Sequence, residues 1–194
     1  MTAQITIGLF VGGKGTRMGG IPKGLLRSPD GSESVLARLV KQCARAAPGC
    51  TPFLVGQAAP YAALGLPQLA DDPQGIGPIG GLRALLARAR ADRSDLALAL
   101  ACDLPFLDEP AICALIEPFS GTTRVPLVEH RLQPLAAAYA PDAALRAVER
   151  SLSLGKHALM HVLDQLGSDL ERVEFDEERA RALRDWDTPE DIAR

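Results

Sequence analysis

Residues 5–11, Ile-Thr-Ile-Gly-Leu-Phe-Val, run directly into Gly12-Gly13-Lys14-Gly15-Thr16-Arg17-Met18-Gly19-Gly20-Ile21-Pro22-Lys23-Gly24. The first segment is apolar and rich in β-branched residues, as a buried strand is. Six glycines among residues 12–24 exclude a helix or strand interior, because each costs backbone entropy and offers no side chain to pack. A strand that ends in such a loop suits phosphate binding. Glycines let the backbone approach an anion and turn N–H groups toward it, while Lys14, Arg17 and Lys23 add positive charge. The familiar loops do not match: the Lys23-Gly24 order is the reverse of a P-loop's, and a dinucleotide fingerprint read from Gly13 and Gly15 meets Met18 where glycine is needed.

The whole chain of 194 residues is read as one domain, 1–194, long enough for a sizeable core. A net charge of −3 gives no general attraction to nucleic acid or anionic membrane, so any basic site is local. At 4% aromatic residues, base-stacking platforms are not expected. There is no charged start ahead of an apolar run and no stretch of membrane-spanning length, so a cytoplasmic protein is expected, with no nucleic-acid or membrane partner. Cys43, Cys50, Cys102 and Cys113 form no CxxC pair and read as reduced core thiols.

Outward from the glycine loop, Ser32 is expected to cap a helix with Val35, Leu36, Leu39, Val40 and Cys43 on one face, ending at Pro48-Gly49. Residues 51–56 read as a strand, 58–64 as a short helix and 67–70 as a short strand arriving at Asp71-Asp72. A second glycine cluster, 75–81, opens a helix with Leu82, Leu85, Leu86 and Ala89 inward. Residues 95–102 form an almost unbroken apolar run, as in a central parallel strand covered on both faces, and the run stops at Asp103. Helices are expected over 109–118, 141–151 and 154–166, strands over 122–128, 134–139 and 170–175, and a last helix from Thr188-Pro189-Glu190-Asp191. The alternation gives an α/β three-layer sandwich on a mostly parallel, Rossmann-like sheet. Ligands of such sheets bind beyond the carboxyl ends of the strands, where Gly12, Asp71 and Asp103 would gather.

A phosphate cradle with cationic side chains beside a strand-end aspartate fits a metal-nucleotide site, since Mg²⁺ prefers carboxylate and phosphate oxygens and keeps several waters. Asp103 is the foremost ligand candidate, with a turn or helix-cap aspartate as its plainer reading. For Asp71 a strand-ending turn stands beside a ligand role. His157 and His161, spaced i, i+4 in an expected helix, read as a half-exposed face rather than a zinc site. Gln133 is a candidate for the acceptor side, and Trp186 either stacks on a ligand or anchors the C-terminal segment.

Taken together the motifs resemble the molybdenum cofactor guanylyltransferase family, the MobA-like nucleotidyltransferases. The resemblance rests on Gly12-Gly13, Arg17-Met18-Gly19-Gly20 and Lys23-Gly24-Leu25-Leu26, then Asp71 ahead of Gly77-Pro78-Ile79-Gly80-Gly81, Cys102-Asp103-Leu104-Pro105-Phe106, Gln133-Pro134-Leu135 before Tyr139, and Thr188-Pro189-Glu190-Asp191. It implies a nucleotidyltransferase (GT-A-like) fold and transfer of GMP from GTP to the terminal phosphate of molybdopterin, in its molybdenum-loaded form, with release of pyrophosphate. It also implies that Phe10, Val11, Gly12 and Gly13 wrap the nucleoside, Arg17 and Lys23 meet phosphate, Asp71 touches the nucleoside and Asp103 holds Mg²⁺. Substrate partners would be GTP and a molybdopterin-type molecule, with a molybdopterin-delivering protein as a further candidate. The chain departs from the family at Pro22, where aspartate is common, at Phe10-Val11, where leucine-alanine is usual, and at Asp185-Trp186-Asp187 in place of Asn-x-Asn, two acids that either give a second metal ligand at Asp187 or repel an anionic pterin phosphate. The alternatives are a related enzyme using CTP or a sugar-phosphate acceptor, and a non-catalytic nucleotide-binding module of the same fold.

Overall fold

The computed structural model describes residues 3–12, 22–56, 58–186 and 191. In chain order the elements are β1 (Ile5–Phe10), α1 (Val35–Ala46), β2 (Phe53–Val55), β3 (Gln68–Leu69), α2 (Pro78–Ala91), β4 (Leu96–Ala101) and α3 (Glu109–Ile116). The second half adds β5 (Thr123–Val128), β6 (Arg131–Leu132), β7 (Ala136–Tyr139), α4 (Pro141–Ser153), α5 (Leu159–Leu166), β8 (Leu170–Glu174) and α6 (Glu177–Ala182), with short 3-10 turns at Lys23–Leu25 and Ala59–Leu64. The strand order is β3-β2-β1-β4-β7-β5, with β6 and β8 both attached to β5. β1 pairs parallel with β2 and β4, and β8 parallel with β5; β7 runs antiparallel to both its neighbours.

The period of two in β1 and β4 sorts side chains between two cores. Ile7, Leu9, Leu96, Leu98 and Leu100 face α1 and α3, with α6 joining that layer through Ala182. Phe10, Ala97 and Ala99 face α2, α4 and α5. The second face is built from small residues so that α2 can lie close to the sheet. A Cβ placed on Gly8 would stand 2.7 Å from a Leu85 methyl, and one on Gly81 2.8 Å from a Val55 methyl. This is the expected three-layer sandwich on a mostly parallel sheet.

The local chemistry departs from expectation at helix ends. Ser34, not Ser32, caps α1, its hydroxyl accepting from Ala37 N at 3.2 Å. Ser32 instead donates its N–H and hydroxyl to Asp30, whose carboxyl is lowered to about 2 chiefly by hydrogen bonds from Ser28 and Ser32. The helix expected to start at Leu154 starts at Leu159. Before it, α4 is terminated by Gly155 at φ +66°, with Gly155 N bonded to Leu152 O and Lys156 N to Ser151 O, a glycine stop that takes up the last carbonyls. α6 was not expected; Asp176 caps it through Arg179 N at 2.9 Å. The helix expected from Thr188-Pro189-Glu190 falls outside the described residues. No helix among the described residues is long and apolar enough to cross a membrane, and Cys43, Cys50, Cys102 and Cys113 are all free thiols.

β8 is fastened through a buried arginine. Arg124, 5% exposed, donates to the carbonyls of Ala114, Leu115 and Glu117 at 3.1, 3.1 and 2.7 Å and to Glu171 on β8 at 3.2 Å. The guanidinium thus satisfies the carbonyls that the end of α3 leaves without helical partners. Arg124→Met is expected to lower folding stability by about 3 kcal/mol, since acceptors bonded to a charged donor lose it where water cannot replace it. A fall in the urea midpoint with unchanged slope checks this, and an unchanged midpoint refutes it.

Candidate active site

Parallel pairing of β1 with β4 sets Phe10 opposite Ala101. β1 ends with two further bonds, Cys102 N to Phe10 O at 3.1 Å after β4 and Val11 N to Val55 O of β2 at 3.0 Å. Beyond them the strands part, and Gly12 and Asp103 face the same cleft of about 680 Å³. Phe10, Val11, Lys23 and Asp71 also line it. The Val11 N–H and the Phe10 carbonyl are committed to the sheet, whereas a Cβ built on Gly12 would meet no atom of the described residues within 4 Å. Gly13 and Arg17 lie outside the described residues.

Lys23 sits in the first position of its 3-10 turn and donates from Nζ to Asp103 Oδ2 at 2.9 Å. The two side chains are only 19% and 22% exposed, so water screens the pair less than it would a surface ion pair. A carboxylate from the end of β4 thus faces the lysine that follows Pro22. Behind the pair, the buried Tyr61 ring packs on the turn: a Cβ on Gly24 would stand 3.0 Å from Tyr61 Cε1. Burial pushes the Cys102 thiol up to about 12, helped by the Asp103 charge, so this cysteine stays protonated and unreactive.

The aspartates that end β3 divide their tasks. Asp72 turns outward and is ion-paired with Arg83, which also donates to Glu149 of α4 at 2.7 Å. Asp71 turns inward, half-buried in the cleft wall, and burial raises its carboxyl above the usual aspartate range. Two glycines make room for it: a Cβ on Gly81 would stand 3.0 Å from Asp71 Oδ1, and one on Gly56 3.6 Å from the same atom. The N-terminus of α2 opens on the cleft at Gly75, Gly77 and Pro78, so the positive end of a 14-residue helix adds to the field there.

The opposite wall comes from the antiparallel strand. Gln133, Pro134 and Leu135 lead into β7, and Leu159 of α5 with Leu183 and Asp185 after α6 complete it. Trp186 is buried, edge-on to Phe106 with ring centroids 6.0 Å apart, and its backbone N–H donates to Asp103 O at 3.1 Å. It therefore anchors the C-terminal segment to the Asp103 loop. Asp187 lies outside the described residues. His157 precedes α5 and His161 lies within it, so the two do not share a helix face; His161 pairs with Asp164 at 3.8 Å. Sequence reasoning did not single out Tyr61, Leu159 or Leu183, whose only signals were an aromatic and two leucines in amphipathic segments.

With this arrangement in view, relatives become informative. The MobA-like NTP transferase domain matches residues 9–171 of the sequence. The chain belongs to this family. Over 109 residues it is 35% identical to the molybdenum cofactor guanylyltransferase of Pasteurella multocida (strain Pm70), a match covering 55% of this chain and 54% of that protein. The match thus spans about half the length of the curated relative. Among solved structures, the molybdopterin-guanine dinucleotide biosynthesis protein A of Archaeoglobus fulgidus superposes with a TM-score of 0.75 at 19% identity, over 97% of this chain and 95% of that one. The 2-C-methyl-D-erythritol 4-phosphate cytidylyltransferase of Thermus thermophilus gives 0.68 at 16% identity over 98% and 96%. At such identities these likenesses establish the fold, which members with different named activities share.

The raised Asp71 carboxyl makes a prediction. Its folded value lies above the ordinary aspartate value of 3.8, so its contribution to stability is most favourable below that value and is lost as pH rises through the raised one. Asp71→Asn is expected to raise the melting temperature at pH 7, with the gain shrinking toward pH 3. Thermal unfolding across that range decides it: an equal or lower melting temperature at pH 7 contradicts the assignment.

Proposed function

We propose that this MobA-like NTP transferase moves GMP from GTP to the terminal phosphate of a molybdopterin-type acceptor, in its molybdenum-loaded form, and releases pyrophosphate. The observation that carries the reading is the gathering of Gly12, Lys23, Asp71 and Asp103 around one cleft beyond the carboxyl ends of β1, β3 and β4. The name of the Pasteurella multocida relative supports guanine and the molybdenum cofactor.

In the proposed reaction an acceptor phosphate oxygen attacks the α-phosphorus of GTP. The bond from that phosphorus to the α,β-bridging oxygen breaks, and pyrophosphate leaves with the electron pair. No base is needed, because the attacking oxygen is already anionic. What the protein must supply is placement and charge neutralisation. Gly12 lets the nucleotide lie against bare backbone, and Lys23 exchanges its bond to Asp103 for phosphate oxygens as charge builds on the leaving group. Asp71, an acceptor-only group when ionised, takes N–H or O–H donors of the nucleoside. Arg17 adds a second cation on the phosphates, and Gln133 reaches the acceptor.

Asp103 is the residue that would hold Mg²⁺, with Asp187 as the candidate second ligand. The donor set fits that ion: among the described residues no three His, Cys, Asp or Glu side chains converge, and a single carboxylate on an open cleft suits a cation that takes its other oxygens from water and substrate phosphates. When bound, the ion supplies Lewis-acid polarisation and a template for the phosphates. A cytoplasmic setting, with GTP and reduced thiols, is part of the same proposal.

The test is pyrophosphate release with each of the four NTPs, Mg²⁺ and a molybdopterin source. Turnover with GTP is expected, and CTP turnover without GTP turnover would favour the cytidylyl alternative. Asp103→Ala and Lys23→Ala are expected to lower kcat by about 10²–10³-fold, the usual cost of removing a charge-stabilising group. Full activity of Asp103→Ala would remove the metal reading. Gly12→Ala gives a separate check, because the new methyl meets no atom of the described residues within 4 Å and, in this reading, enters ligand space. Its melting temperature should match the parent's while KM for GTP rises; a lower melting temperature with unchanged KM contradicts this placement.

A further inference from the structure

The segment that brings Gln133 to the cleft is tied down group by group. Gln133 N donates to Pro126 O at 3.0 Å, Ala136 N to Gln133 O at 3.0 Å, and Ala101 N to Leu135 O at 2.7 Å. Pro134 has no N–H to give, and its carbonyl is taken by a side chain: the Tyr139 hydroxyl donates to Pro134 O at 2.7 Å. One group is left over. The Leu135 N–H has no hydrogen-bond partner among the described residues, which leaves it for water or a ligand.

Tyr139 is wholly buried on β7, opposite Ala97, in the core that the sheet forms with α2, α4 and α5. It stands three residues along the strand from Ala136, about 10 Å at the usual strand rise, so reaching back to Pro134 takes a long side chain with a polar tip. A phenylalanine would fill the same core volume and leave Pro134 O without this donor.

The proline ring fixes φ at residue 134, so the direction of its carbonyl sets the plane of the peptide that joins it to Leu135. In a planar trans peptide the C=O and the N–H point opposite ways. With the carbonyl turned to a phenol of the core, the Leu135 N–H is turned away from that core, and Pro134 and Leu135 both line the cleft.

We propose that Tyr139 is a positioning residue and that the peptide it holds is a binding element, the Leu135 N–H donating to a non-attacking oxygen of the acceptor's terminal phosphate. The held peptide stands on the bonds above; the oxygen it meets rests on the nucleotidyl-transfer reading. A backbone N–H facing a phosphate makes a charge-assisted bond, stronger than one to a neutral acceptor. Because Gln133–Leu135 forms the wall across from Gly12 and Lys23, this donor serves the attacking molecule and leaves the triphosphate to the glycine side. Tyr139 itself touches no reacting atom and acts through the peptide.

Two changes to the full chain test this: Tyr139→Phe, and replacement of Leu135 by its α-hydroxy acid, which puts an oxygen in place of the N–H and keeps the side chain. The first readout needs no ligand. Amide exchange at Gln133 and Ala136, whose bonds close the segment, is expected to quicken about tenfold in Tyr139→Phe, as local opening follows loss of a tether. The second is steady-state pyrophosphate release with GTP, Mg²⁺ and molybdopterin. Both changes are expected to raise KM for molybdopterin about tenfold, the size of one lost hydrogen bond to an anion, with KM for GTP within about twofold of the parent.

Parental exchange in Tyr139→Phe overturns the positioning role. A parental KM for molybdopterin in the α-hydroxy acid variant overturns the binding role, and an equal rise in both KM values overturns the proposal as a general loosening of the fold. If the parent turns over no GTP with molybdopterin while exchange quickens in Tyr139→Phe, the hold on the peptide stands, and the nucleotidyl-transfer reading falls together with the phosphate assignment. Should Tyr139→Phe not fold, the α-hydroxy acid variant tests the N–H with Tyr139 in place.

Discussion

The structure depends on the parallel pairing of β1 with β4. That ladder keeps Ile5 through Phe10 in step with Leu96 through Ala101 and then stops, so that two chain segments far apart in sequence leave the sheet side by side. Parallel strands are covered on both faces and expose ligand-binding loops where their carboxyl ends stop. Here the two loops carry opposite tasks, a glycine backbone on one and a carboxylate on the other. A shift of this register by two residues would move Asp103 by about 7 Å along the strand direction, enough to separate it from Lys23.

Electrostatics at the cleft reinforces that arrangement. The Lys23 ammonium and the Asp103 carboxylate, held 2.9 Å apart, are preorganised charge, and in the proposed reaction little reorientation is needed when phosphate oxygens replace one partner. The burial of Asp71 works in the other direction. It places a carboxylate where burial disfavours its charged form, at some cost in stability.

Much of this was legible in the sequence because the decisive segments are extreme. The apolar runs at 5–11 and 95–102 are too short for helices and too apolar for exposed strands, and they form β1 and β4. What stayed hidden was relational. No local pattern says that Lys23 pairs with a residue 80 positions away, or that Tyr61 lies across Gly24. Strand direction was equally silent: Ala136–Tyr139 reads as a strand from its residues, but side-chain alternation is the same whichever way it runs. Helix ends failed for a smaller reason. Ser32 and Ser34 have the same capping chemistry, and only the competing Asp30 carboxylate, which engages Ser32, decides between them.

The reversed course of β7 has a consequence for how such a scaffold changes its chemistry. Ala101 N bonds to Leu135 O at 2.7 Å, so β7 begins where β4 ends, and the Gln133–Leu135 approach enters the cleft from the far side of the sheet. The hairpin of β5 and β6 feeding that approach shares no backbone with the glycine loop or the Asp103 turn. It could be lengthened, shortened or recomposed while the half of the cleft lined by Gly12, Lys23, Asp71 and Asp103 keeps its shape. In the proposed transfer, two molecules meeting in one crevice are recognised by separately variable parts, so that a new acceptor can be acquired without rebuilding the side that takes the nucleotide.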